Sequence, residues 1–434
     1  MIAANGRALR GRGLISTGNR PRAGRYCLVR LGRTALVVAL AGLWSSAADG
    51  QAQLFTTVQK DKNFDETAAQ SQRLMRLQKL PTTRSVRIVR IHWNAFSDNQ
   101  VGVSLPRQKA LTFLKSGGEM RDSRDFTWAG ISEDEQRGGT TLVVRNGEIT
   151  GSISTPEGLY RISPLGGGVH ALVEVDPSKF PKDEPESFQS KESQHGQFVP
   201  SENSDIRNKP SSALTQIDVL VAYTAAARAG VNDIDATIAL AVAEANQSYL
   251  NSGIGIHLNL VDSFQVTYTE KSKPFETILS DFKGMADVNK RRDQAGADLA
   301  ALIIDQSDYC GLADAIMANA STAFSIVHYD CATGYYSFAH ELGHLMGARH
   351  NEQMDPSTSP FAYGHGYRHD TPSPGWRTIM AYDCPAHCLR LQYWSNPNHK
   401  YGANPMGTAP TNDNARVLNE TAATVAGFRT RPTH

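Results

Sequence analysis

Two periodicities of apolar residues divide the chain. From residue 54 to about 177 they recur in twos: Ser85 to Trp93 reads Ser-Val-Arg-Ile-Val-Arg-Ile-His-Trp, and Thr140 to Thr150 reads Thr-Thr-Leu-Val-Val-Arg-Asn-Gly-Glu-Ile-Thr. That is strand spacing, and Asn146-Gly147 suits a two-residue hairpin turn, so residues 53–177 are expected to form a small β-rich unit. From Asp176 to Ser212 the sequence is dominated by Pro, Ser, Lys, Glu, Gln and Asn. Such a stretch has too little apolar surface to support a core, which predicts a polar, protease-sensitive linker over 178–212. Beyond it, Ile217–Tyr223 has the composition of a buried strand. Asp233–Leu250 places Ile234, Ile238, Ala241, Val242, Ala245 and Tyr249 at helical spacing. Ile254–Val266 reads as a second strand, Phe275–Arg292 as a helix and Asp298–Asp305 as a third, buried strand. The alternation predicts an α/β (α+β) domain over 213–434, a mixed twisted sheet with helices against it.

Charge and length refine this outline. The 434-residue chain carries 44 basic and 43 acidic side chains, but eight arginines and no acid lie within residues 1–33. The remainder has 36 basic against 43 acidic residues, a balance of −7, and residues 212–434 alone stand at 15 against 22. A phosphate-backbone partner is therefore not expected, and nucleic acid is excluded as a partner class. After Arg30 and Arg33 comes the apolar run Ala35–Trp44, followed by small residues. That run has the length of a signal-peptide core and falls well short of the ~20 residues of a membrane span. Residues 1–52 are accordingly expected to be a signal peptide, removed on export to leave a secreted or periplasmic protein without a membrane anchor. Cys27 lies in this leader, leaving Cys310, Cys331, Cys384 and Cys388. Four cysteines in an exported domain suggest two disulfides, and Cys310–Cys331 with Cys384–Cys388 close the shortest loops. A cysteine zinc cluster is the competing possibility, although the spacings match no zinc finger.

The chemistry is concentrated in His340-Glu341-Leu-Gly-His344-Leu-Met-Gly347-Ala-Arg-His350. On a helix, His340 and His344 share a face and can direct imidazole nitrogens at one point, with Glu341 beside it. Gly347 lets the chain leave the helix through a left-handed turn, after which His350 can return as a third ligand and leave a fourth position open. One catalytic Zn2+ is the metal this pattern predicts. His328, His365, His369, His387 and His399 lack paired spacing and are expected to be structural.

Thirty residues after His350, Thr378-Ile-Met380-Ala-Tyr382 completes a resemblance to the metzincin zinc endopeptidases. Together with Ile217–Tyr223, Tyr363-Gly-His-Gly-Tyr367, Arg377–Cys384 and Arg390–Pro397, these motifs resemble the secreted bacterial peptidyl-Asp metallopeptidases of the Asp-N type, over about residues 215–428. The resemblance implies a metzincin-like catalytic domain preceded by a propeptide. It further implies a Met turn under the metal at Met380 and a transition-state hydroxyl from Tyr382. Asn351, directly after the third histidine, departs from the acid many metzincins carry there.

The expected activity is hydrolysis of protein or peptide substrates on the amino side of Asp, by a metal-bound water that Glu341 deprotonates. A domain of negative balance needs a local cation to accept an acidic side chain. Arg390 is the first candidate, with Arg377 and Arg349 behind it. A broad-specificity metzincin and a non-catalytic zinc-stabilised module are the competing readings; Glu341, unnecessary for metal binding, favours an enzyme. Residues 53–211 hold no cysteine, so latency must come from steric cover or from a ligand other than a thiolate. The acids of Asp305–Asp314 are compatible with calcium. The sequence leaves oligomeric state open.

Overall fold

The computed structural model describes residues 52–58, 66–134, 138–185, 188, 214–371 and 375–431. The expected signal peptide, up to Gln51, lies outside the described residues, as does most of the linker. No helix among the described residues is long and apolar enough to cross a membrane.

Between Phe55 and Val175, ten antiparallel strands form one sheet. The Asn146-Gly147 turn forms where the sequence places it. Arg145 faces Glu148 across it, and Asn146 and Gly147 have φ of 52° and 75°, the left-handed pair that matches strand twist. Phe113, Trp128, Leu142, Ile153 and Ile162 fill one face. On the other, the helix Ala68–Lys79 buries Leu74 and Leu77 against Ile88, Leu165, Val169 and Val173. Sequence periodicity did not point to this helix, because it is mostly polar and buries only two side chains; the reciprocal Thr67–Gln70 capping box is its clearest local signal.

Residues 215–425 build a second sheet with helices. Its spatial order is Ile256–Gln265, Thr215–Tyr223, Leu299–Ile304, Phe324–His328 and Gly311–Ala313. The first four are parallel and the last is an antiparallel edge, so the sheet is mixed as expected. All six residues of Leu299–Ile304 are buried, as its unbroken apolar run requires. Helix Ile234–Asn251 covers this sheet. The expected helix Phe275–Arg292 is two: Met285, with an extended ψ of 118°, separates Phe275–Gly284 from Ala286–Ala295. Gly284 is a poor helix former at that junction.

A small sheet beyond the helices sets the approach to the site. Trp376–Arg377 pairs in parallel with Leu389–Arg390, so Arg377 and Arg390 are register partners. The Cys384–Cys388 disulfide closes the loop between them, and Cys310–Cys331 forms the other bridge.

The two sheets meet through buried polar contacts. Arg161 donates to the carboxylate of Asp330 and to the Thr333 carbonyl, and Thr82 Oγ1 donates to Asp330 at 2.6 Å. Ser152 donates to Glu244, which also accepts the Gly334 N–H at 2.9–3.0 Å. Burial pushes the Glu244 carboxyl up to about 7 against the hydrogen bonds that favour its charge. The folded protein thus holds this proton more tightly than the unfolded chain, and the stability it supplies is present below about pH 4.5 and lost as pH rises through about 7, by on the order of 3 kcal/mol. Glu244→Gln keeps the side chain's size and removes the titration. Its melting temperature relative to wild type should rise between pH 5 and pH 8; an offset identical at both pH values would remove Glu244 as the cause.

Candidate active site

The helix Ser337–Leu345 carries the first two histidines and is buried at every residue. It starts directly after Tyr336, a buried residue held at φ 64°, a strained conformation for a bulky side chain. Gly343 lies on its inner face, where a Cβ would come within 2.6 Å of the Trp394 ring and 2.9 Å of Met380 Sδ. Glycine therefore sets the depth at which the helix sits over Met380 and Trp394. Gly347 turns the chain at φ 102°, and His350 swings back against the helix as the spacing predicts.

The three Nε2 atoms converge. His340 and His344 are 3.1 Å apart, His344 and His350 3.0 Å, and His340 and His350 3.2 Å. His340 Nδ1 faces the Ile379 carbonyl at 2.8 Å, and His344 Nδ1 faces the Ala348 carbonyl at 2.8 Å. A carbonyl only accepts, so His344 Nδ1 carries the proton and turns its bare Nε2 lone pair inward, while His340 Nδ1 also meets the donor Arg390 Nη2 at 2.7 Å. Burial lowers both rings, His340 to about 3, which keeps them neutral as metal ligands must be. Three buried imidazole nitrogens at this separation, with a carboxylate beside them, form a set that can hold a cation. The chemistry of the donor set fits zinc.

Among the described residues, the one grouping of metal-binding side chains contains a fourth member that sequence reasoning missed. Glu184 joins His340, His344 and His350, all buried, with ligand atoms within 4.8 Å of one another. Its carboxylate lies 2.7 Å from His350 Nε2 and 3.0 Å from His344 Nε2. Asp183 beside it reaches Arg390 at 3.1 Å and Arg377 at 3.4 Å. Burial alone would raise the Asp183 carboxyl, but Arg390 and then Arg377 hold it below its ordinary range. The segment read as a solvated linker is therefore buried at Asp183, Glu184, Pro185 and Phe188. Its polarity suggested solvent because the partners of its acids lie more than 150 residues away; the acid pair between Phe180 and Phe188 was the available signal.

The other predicted residues fall into place unequally. Glu341 is buried, and neither carboxylate oxygen has a hydrogen-bond partner. Burial first, then the neighbouring charges of Glu184 and Asp183, push its carboxyl well above the usual range. Its side chain fills the space over Gly311 on the edge strand, where a Cβ would overlap it. The Tyr382 ring lies 4.3 Å from that of His350, and its hydroxyl is 3.4 Å from Glu184. Arg390 is buried beside His340, and its Nε donates to the Ile379 carbonyl at 3.0 Å. Arg377, one of the two runners-up, joins it and also donates to Tyr335 Oη at 2.8 Å. Arg349 is committed elsewhere, gripping Asp355 through Nη1 at 2.7 and 3.0 Å. Asn351, at the departure from the metzincin pattern, accepts the Tyr382 N–H at 2.9 Å and so ties the third histidine to the Met turn without a charge. Of the histidines read as structural, His365 supports the site indirectly, its Nδ1 2.8 Å from the His350 carbonyl oxygen.

Comparison with known proteins gives a consistent result. Residues 213–395 match the Reprolysin_5 model of metallo-peptidase family M12. A peptidyl-Asp metalloendopeptidase of Stenotrophomonas maltophilia (strain R551-3) is 42% identical over 412 residues, covering 89% of this chain and 96% of that protein. One from Xanthomonas campestris pv. campestris is 38% identical over 417 residues, 91% of this chain and 97% of its own length. One from Pseudomonas fragi is 44% identical over 186 residues, 43% of this chain and the whole of that protein. Likeness sustained through both halves of the chain, around a buried histidine centre built to hold a cation, shows that this protein is a zinc-dependent metalloendopeptidase belonging to the peptidyl-Asp metalloendopeptidase family.

Proposed function

We propose that the chain is an exported proenzyme: residues 1–52 direct secretion, 53–177 form the propeptide, a cut within 178–212 releases it, and 213–434 is a metzincin-like peptidase. It cleaves peptide bonds on the amino side of Asp. The observation that carries this specificity is the buried pair Arg377 and Arg390, held in register beside His340 in a domain whose overall charge is negative. Their planar forks suit a carboxylate, and both already engage that of Asp183.

His340, His344 and His350 would hold the zinc, which when bound supplies an acidified water and a Lewis acid for the scissile carbonyl. Glu341 does the proton work. It is no part of the histidine cluster and lies buried beside it, next to His340 in sequence. It takes a proton from the attacking water and passes it to the leaving amine. Tyr382 presents its hydroxyl toward the region where Glu184 sits, the position from which it would donate to the developing oxyanion; loss of such a donor commonly costs ~3 kcal/mol. Peptides and proteins are the substrates this arrangement takes.

Glu341→Gln should retain fold and zinc, checked by circular dichroism and metal analysis, while peptide turnover falls by several orders of magnitude. A turnover close to wild type would sink the general-base role and revive a different water-activating group.

Specificity is tested by a ratio, because Arg390 also supports the Ile379 carbonyl that orients His340. Arg390→Ala should reduce the ratio of kcat/KM for an Asp substrate to that for its Asn counterpart by at least a hundredfold, the ~3 kcal/mol or more expected when one side of a buried charge pair is lost. Arg377→Ala should shift the same ratio in the same direction. Wild-type cleavage indifferent to Asp would leave a broad-specificity metzincin as the reading.

A further inference from the structure

We propose that the Asp183-Glu184 dipeptide is a built-in inhibitor that fills two functional positions at once, its Glu184 carboxylate taking the metal's fourth position and its Asp183 carboxylate taking the arginine subsite that reads the substrate's acid. The second half rests on the Asp specificity proposed above; the first does not.

The placement is specific at every point. The Cys310 N–H donates to the Lys182 carbonyl at 2.8 Å and the Gly311 N–H to the Asp183 carbonyl at 3.1 Å, so the segment lies against the start of the edge strand Gly311–Ala313. The isolated bridge between Lys182 and Tyr309 is parallel. Aromatic contacts secure both ends: Phe180 stacks on Tyr335 at 4.1 Å, and Phe188 packs edge-on against His344 at 4.8 Å. Between them, the two acids point to different partners. Asp183 bridges Arg377 and Arg390, while Glu184 faces the inward Nε2 atoms.

Glu184 Oε1 is buried without a hydrogen-bond donor. A carboxylate 2.7 Å from His350 Nε2 and 3.0 Å from His344 Nε2 is placed to be the fourth ligand to a cation the histidines hold. The arrangement also accounts for the segment's survival next to a peptidase centre. What it presents at the metal is a side-chain carboxylate, and the Asp183 backbone carbonyl is engaged by Gly311 instead. No scissile carbonyl is offered, and no cysteine is needed.

The test uses the full-length proenzyme carrying Glu341→Gln, loaded with zinc, and reads zinc transfer to a chelating dye. Adding Glu184→Gln should speed zinc loss at least tenfold, since the site falls from four protein ligands to three. Asp183→Asn should change it by less than about threefold. Glu184→His, which offers the metal another ligand, should restore slow loss and so separates a missing ligand from a misfolded variant. Zinc loss unchanged by Glu184→Gln, or left fast by Glu184→His, overturns the metal contact. With Glu341 intact, Asp183→Asn should raise the residual turnover of the proenzyme on an Asp-containing peptide at least tenfold; latency equal to wild type overturns the subsite contact. If the processed enzyme shows no preference for Asp while Glu184→Gln still sheds zinc quickly, the subsite half fails with the specificity reading and the metal half stands.

Discussion

Three imidazole Nε2 atoms converging 3.0–3.2 Å apart in a buried site are the constraint on which the rest of the catalytic half depends. Each approach is fixed from outside. The Ile379 carbonyl and Arg390 meet His340 Nδ1, the Ala348 carbonyl sets the proton on His344, Gly343 lets the helix descend onto Trp394 and Met380, and Gly347 turns the chain so that His350 can return. Trp394 is itself anchored, its indole N–H donating to Ser248 at 2.8 Å and its ring stacked on Tyr249. The metal site is thus tied to the helix Ile234–Asn251 through packing rather than through any ligand.

The same economy appears around the arginines. Ile379 uses one carbonyl both to meet His340 and to receive Arg390, so the two buried side chains share an atom. Parallel pairing of Trp376–Arg377 with Leu389–Arg390 aligns the two guanidinium groups, and the short Cys384–Cys388 bridge holds the loop that joins their strands. Two like charges buried side by side would repel each other, but Asp183 lies between them as their counter-ion.

The N-terminal half contributes by surface as well as by its inhibitory segment. Its sheet meets the catalytic half through the buried polar contacts Arg161–Asp330 and Ser152–Glu244. Glu244, with its raised carboxyl, makes that contact less favourable as pH rises toward neutrality.

What the sequence determined by itself was whatever depends on near neighbours along the chain. Strand period, the Asn146-Gly147 hairpin, the buried run of Leu299–Ile304, the histidine spacing and two short-loop disulfides all belong to this class, because backbone geometry converts local spacing directly into position. Helix Ala68–Lys79, with two buried side chains, and the break at Met285 left too little periodic signal to be read. The sequence put Arg390 first, and tertiary structure separated the two arginines behind it. Arg349, adjacent to a ligand in sequence, is spent on Asp355, whereas Arg377 and Arg390 become neighbours by strand pairing. It also decided the role of Asp183 and Glu184: their charge belongs to a polar segment in sequence, and only the fold supplies the histidines and arginines, more than 150 residues away, that make their burial favourable.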